Sequence, residues 1–177
     1  MKNAHNVPFL PNLPSEEIFT APHRYGINGT LRSTMPLYYG GTIINNIQLT
    51  ISEGQIVSYS ADEGLETLKG IIESDEGSRY LGEVALVPVT SPIARHGMVF
   101  LNPLYDENAS CHFAIGNAYP TSIVNGQHLS PEERLKRGLN QSMTHVDFMV
   151  GSHELNIDGE TSEGQRIPIL RDGYWVL

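Results

Sequence analysis

The sequence predicts an α+β fold: a mixed, mainly antiparallel β-sheet domain with a few helices. Short runs in which apolar and polar residues alternate recur between Gly, Pro, Asn and Asp turn signals. Two other stretches carry helical spacing or helix-capping residues. The 17 Gly and 11 Pro suit a loop-rich globular chain.

Residues 1–14 lack periodicity and are punctuated by Pro8, Pro11 and Pro14. They read as an extended lead-in, or the remnant of an interdomain linker, ahead of a domain over 15–177. Ser15–Thr20 is predicted as a short strand closed by Ala21-Pro22. Neighbours on a strand face opposite ways, so only one of Glu16 and Glu17 can point into a shared site. From Thr30 to Tyr59 the pattern is β, with Ile43, Ile44, Ile47, Leu49 and Ile51, a turn at Glu53-Gly54, and a strand from Gln55. Ser60 is expected to cap a helix reaching about Ser74, with Leu65, Leu68, Ile71 and Ile72 as its apolar stripe.

Tyr80–Pro88 reads as a buried strand in which Glu83 is the one ionisable side chain after Arg79. A carboxylate in such a run must be paired, protonated or bound to a cation. Ser91-Pro92 breaks the strand, and Met98–Leu101 is a short apolar piece. Asp106–Ala114 then packs two acids, Cys111 and His112 together. Cys111 beside His112 invites a thiol-nucleophile reading, but adjacent residues on an extended chain point apart.

Ser130-Pro131-Glu132-Glu133 opens a helix with a capping serine, proline at the first position and acids in the first turn; Gly138 ends it. Met143–Val150 is predicted as a strand carrying His145 and Asp147 on one face and Val146 and Phe148 on the other. Asp158-Gly159 and Asp172-Gly173 look like hairpin turns, with closing strands at Ile167–Leu170 and Tyr174–Val176.

With 11 basic and 20 acidic residues the formal charge is −9, which argues against nucleic acid or an anionic membrane as partner. Cys111 is the single cysteine, so no disulfide framework exists and a reducing cytoplasm is expected. No apolar run approaches the roughly 18 residues of a membrane span.

The unusual polar groups are Glu17, Glu83, Glu107, His112, His145 and Asp147. Two imidazoles with this many carboxylates exceed the three protein ligands of a catalytic zinc. They suit two divalent ions about 3.5–4 Å apart, bridged by a carboxylate and a water or hydroxide, which is the chemistry of metal-assisted amide hydrolysis.

Four blocks carry a resemblance. Asn12–Pro22, Leu81–Val87, Asp106–His112 and His145–Met149 stand in the order and spacing of the metallo-aminopeptidase family of aminopeptidase T, aminopeptidase S and the PepS enzymes. The likeness runs from about Asn12 to the C-terminus. It implies a cytoplasmic exopeptidase that uses two divalent ions (zinc, cobalt or manganese) to release N-terminal residues from peptides. By position, Glu17, Glu83, His112, His145 and Asp147 match the family's metal-site residues, with Glu83 as the bridging carboxylate. Tyr119 matches an active-site tyrosine suited to hydrogen-bonding an oxyanion, and Glu17 is placed with it among the catalytic residues. Glu107 is implied as a further ligand or as the acid that grips the substrate amine.

Family members carry an N-terminal domain ahead of the Asn12 block. The expectation is therefore the C-terminal catalytic domain alone, with a homodimer if the family assembly survives without the other domain. The alternative is a catalytically weak or inactive truncated domain that still binds metal; a third reading is a cysteine hydrolase using Cys111.

Overall fold

The computed structural model describes residue 3, residues 5–10 and residues 15–177. Within the lead-in, Pro11 and the Asn12–Pro14 part of the first block lie outside the described residues. In chain order come β1 (Ile18–Thr20), β2 (Gly29–Arg32), β3 (Leu37–Tyr39), β4 (Thr42–Ile44), β5 (Gln48–Ser52) and β6 (Gln55–Ser60). Helix α1 (Leu65–Ile72), β7 (Leu81–Leu86), α2 (Pro103–Asp106), β8 (His112–Gly116), α3 (Pro131–Lys136) and β9 (His145–Met149) follow. Strands β10 (Ile157–Glu160), β11 (Arg166–Arg171) and β12 (Tyr174–Trp175) close the chain. This is an α+β fold built on mainly antiparallel sheet, as the alternating patterns predict.

The central sheet has the order β1-β7-β8-β9. Side chains opposite one another on paired strands share a face. One face is apolar: Leu81 lies opposite Ile115, Ile115 opposite Val146, and Val84, Phe113 and Phe148 form the next row. That face joins Ile44, Ile47, Leu49 and Ile51 of the β-rich first half and Leu68, Ile71 and Ile72 of α1 in one core. The opposite face carries the rows Glu83–Ala114–Asp147 and Ala85–His112–Met149, with Gly116 facing His145. Ala85 and Ala114 are fully buried there, and their small side chains leave room for the polar groups around them.

Strict alternation would put Leu81 and Glu83 on the same face. They lie on opposite faces because the β7–β8 register shifts between them. Gly82 is the extra residue of this β-bulge, a feature that re-aims side chains and gathers beside functional sites. A Cβ at Gly82 would stand 2.1 Å from the Asn117 carbonyl oxygen, so only glycine fits.

Phe148 is 1% exposed and stacks on Phe113 with ring centroids 6.4 Å apart. Phe148→Ala is expected to cost about 3–5 kcal/mol, readable as a lower denaturant midpoint.

Two expectations need correction. Ser60 does not cap α1; it ends β6, paired with Gln48, and the helix starts at Leu65 behind Gly64 at φ 74°. The pairing of Asn45 with Glu63, through backbone and side chain, holds 61–64 out of the helix. Asp158-Gly159 is no turn but lies inside β10; the chain reverses at 161–165, where the Thr161 and Gln165 backbones bond. The turns at Glu53-Gly54 and Asp172-Gly173 form as expected, each with two positive φ angles, and Ser130 and Glu133 make a reciprocal capping box on α3.

Candidate metal centre

Five predicted residues converge on the polar face of the central sheet. Glu17 precedes β1, Glu83 lies on β7, His112 opens β8, and His145 and Asp147 lie on β9. The segment before β1 is tethered where the Glu16 N–H donates to the buried Asn108 side-chain oxygen at 2.7 Å. Of the two adjacent glutamates, Glu17 turns inward.

The ligand atoms form two overlapping groups, Glu17–Glu83–His112 and Glu83–His145–Asp147. His112 Nε2 stands 3.1 Å from Glu17 Oε2 and 3.7 Å from Glu83 Oε1. His145 Nε2 stands 3.9 Å from Glu83 Oε2 and 3.5 Å from Asp147 Oδ1. Glu83 thus turns one oxygen to each imidazole. Donors about 2.0–2.2 Å from a common cation lie roughly 3–4 Å from one another, the spacing found here.

The hydrogen bonding favours a cation as well. Glu17 Oε2, His112 Nε2 and Asp147 Oδ1 are buried with no hydrogen bond while the imidazole is neutral; the 3.1 Å contact of His112 with Glu17 becomes an ion pair only when the ring is protonated. Leaving such atoms unpaired is costly. Both imidazoles direct Nδ1 away from the site: His112 to the Ser110 carbonyl at 2.9 Å, and His145 to the Asn117 carbonyl at 2.7 Å. A carbonyl only accepts, so Nδ1 carries the hydrogen and Nε2 faces the site as the coordinating atom, the usual outer support of a metal-bound histidine. Two imidazoles and three carboxylates fit divalent zinc, cobalt or manganese.

The strand that carries His145 is clamped at its start. Asp75 accepts from the Met143 N–H at 2.7 Å and the Ser142 hydroxyl at 2.9 Å. Burial opposes its charge, but these donors and those of Ser78 and Gly77 hold its carboxyl below the ordinary range.

Without metal, burial disfavours charge on both imidazoles. The surrounding carboxylates outweigh it: Glu17 and Glu83 push His112 up to about 10, and Asp147 pushes His145 up to about 9. Both are then protonated at neutral pH, and a metal must displace those protons to reach Nε2. Metal uptake at pH 7 is expected to release about two protons, with apparent affinity rising as pH increases toward 9–10. Titration calorimetry in buffers of different ionisation enthalpy measures this; uptake without proton release contradicts it.

Tyr119 follows β8, its ring centroid 4.9 Å from that of His145 and 6.3 Å from that of Phe19. Burial raises its pKa, and the charges of Glu83, Asp147, Glu107 and Glu17 raise it further, so the phenol keeps its proton and can donate. Glu107 begins a single 3-10 turn, Glu107–Ala109, and stands outside both ligand groups, but its charge reaches Tyr119. Cys111 and His112 diverge as their adjacency predicts: the Cys111 thiol meets the Val87 backbone at 3.2 Å, and burial pushes its pKa up.

Sequence reasoning missed the supports. The carbonyls of Ser110 and Asn117 are backbone atoms, which no residue type marks. Arg24 and Asn140, buried behind the site and joined at 2.9 Å, belong to no periodic pattern.

Known proteins resemble this chain in sequence and overall fold. Aminopeptidase 2 from Geobacillus stearothermophilus is 55% identical over 171 residues, covering 97% of this chain and 41% of its own length. Aminopeptidase T from Thermus aquaticus is 46% identical over 167 residues, covering 94% and 40%. The solved structure of wild-type AmpT from Thermus thermophilus superposes with a TM-score of 0.92 at 44% identity, over 100% of this chain and 43% of that one. The chain thus spans about two fifths of the length of these relatives. The family model described as thermophilic metalloprotease (M29) matches residues 1–175, and the chain belongs to that family.

Proposed function

We propose that residues 15–177 form the catalytic domain of a metal-dependent aminopeptidase with a two-metal site, and that 1–14 lead into it. The observation that carries this reading is the position of Glu83, shared by two groups of ligand atoms. Glu17, His112 and Glu83 would hold one divalent ion, and His145, Asp147 and Glu83 the other. Such a pair supplies an activated water and polarises the scissile carbonyl.

The protein's own residues do the rest. The backbone carbonyls behind His112 and His145 keep both Nε2 atoms aimed inward. The Tyr119 hydroxyl, protonated in this acidic surrounding, donates to the oxygen that gains charge as the amide carbon becomes tetrahedral. Glu107, at the edge of the site, binds the substrate's terminal amine or adds a ligand. Glu17, besides holding metal, is the acid nearest His112, which suits it to accept a proton during turnover. The lone buried Cys111 suits a cytoplasmic protein, and among the described residues no helix is long and apolar enough to cross a membrane. Assembly as a homodimer belongs to the same proposal.

The test is metal content together with release of N-terminal residues from short peptides, with and without chelator. Two bound ions and chelator-sensitive release are expected. Protein that stays metal-free after reconstitution with zinc, cobalt and manganese sinks the reading. One second reading is a metal-holding domain without turnover. Metal uptake with no hydrolysis under any of the three metals selects it.

A further inference from the structure

The two imidazoles are supported unequally. His112 leans on the Ser110 carbonyl, two residues earlier in its own segment. His145 leans on the Asn117 carbonyl, in a different segment that runs off the end of β8 toward Tyr119. Whatever places Asn117 therefore places His145, and the same segment presents the tyrosine.

Asn140 shares in this placing, beside the Asn117 N–H that donates to the Thr144 carbonyl at 2.7 Å and the Ser142 N–H that donates to the Asn117 side-chain oxygen at 3.3 Å. Asn140 is fully buried, and its side-chain amide donates to the carbonyls of Gly116 and Gly77. Its backbone carbonyl accepts from the Ala118 N–H at 3.0 Å. Gly116 and Ala118 flank Asn117, so one residue grips the chain on both sides of the carbonyl that orients His145. The Asn140 side-chain oxygen accepts from Arg24 Nη1 at 2.9 Å, which fixes the amide's orientation. Arg24 is itself buried, its guanidinium carbon over the Tyr80 ring at 3.8 Å from the centroid and Nη2 at 3.2 Å from Glu76. Among the described residues, neither Asn140 nor Arg24 makes a side-chain hydrogen bond to the Ser110–His112 segment.

We propose that Asn140, steadied by Arg24, is a positioning residue for the His145–Asp147 half of the site and for Tyr119, and that the His112–Glu17 half does not depend on it. The inference rests on the two-metal reading. Outer-sphere partners of metal-bound histidines typically govern affinity by about 10–100-fold; the Asn117 carbonyl is that partner for His145, so loss of a residue that holds it should act on one ion and spare the other.

Asn140→Asp keeps the shape and the Arg24 contact but replaces the amide donor with an acceptor facing two carbonyls. Cobalt(II) and zinc titrations by calorimetry and visible absorption are expected to show one equivalent bound as in the unaltered protein. The other should weaken by about tenfold or more, in the pattern of His145→Ala and not that of His112→Ala. Two equivalents at unaltered affinity, or equal weakening of both, overturn the proposal. If the unaltered protein binds fewer than two ions, the two-metal reading falls and this inference falls with it. If Asn140→Asp does not fold, Arg24→Gln decides. It leaves the amide in place but removes its anchor, and should give a smaller loss confined to the same ion; a symmetric loss or none overturns the proposal.

Discussion

Glu83→Ala is expected to bring metal content below one ion per chain after dialysis and to cut any peptide hydrolysis by about 10³-fold or more. Each oxygen of Glu83 faces a different imidazole, so under the two-metal proposal its loss would remove a ligand from both ions and the negative charge between them. The side chain is buried, and alanine would leave a polar void lined by Glu17, His112, His145 and Asp147. Glu107→Ala should be far milder, because Glu107 stands outside both ligand groups. The pair is compared by metal analysis and turnover on identical preparations. Near-normal turnover of Glu83→Ala would falsify the bridging assignment.

Gly82→Ala is expected to destabilise the fold by about 3 kcal/mol and to weaken metal binding at once. The new methyl would meet the Asn117 carbonyl oxygen at 2.1 Å and the Gly116 carbonyl oxygen at 2.5 Å. Both are backbone atoms, so the conflict cannot be relieved by a side-chain rotation. The Asn117 carbonyl is also the acceptor for His145, so strain and site distortion arrive together. Denaturant unfolding with a parallel metal titration measures both. A variant within about 1 kcal/mol of the unaltered protein, with unaltered affinity, would show that the bulge has slack the distances do not allow.

The contrast between Glu83 and Gly82 shows what a sequence discloses about such a site. Glu83 is conspicuous because a charge in an apolar run has few explanations, and His145 with Asp147 because alternation places them on one face. The proposed ligand chemistry therefore leaves a trace in residue type. The bulge leaves almost none. Alternation puts Leu81 beside Glu83, and the shift that separates them depends on backbone pairing with β8. The Ser60 expectation failed for a related reason: a good capping residue was already committed to a strand, paired with Gln48. Asp158-Gly159 likewise has hairpin chemistry, but pairing with Pro168 and Ile167 keeps it in β10. Where local preference and long-range pairing agree, as at the Ser130 cap, the sequence suffices. Asn140 and Arg24 were silent because a buried polar residue announces its partners only once distant segments meet.

The edge position of β1 bears on how the centre could fill and empty. Four of the five converging side chains sit on β7, β8 and β9, adjacent strands of one sheet. Glu17 arrives instead beside a three-residue border strand whose Ile18 is 67% exposed. Lifting that margin breaks its pairing with β7 and the Glu16 tether to Asn108, whereas moving His112 or Glu83 disturbs strands on both sides. Of the five side chains Glu17 has the briefest strand support, since β9 at the sheet's other border runs for five residues, and an ion at the proposed His112 position would be the one that loosening of this margin reaches. An ion seated there would in turn bind the margin down, acting as a removable rivet between the border strand and the sheet.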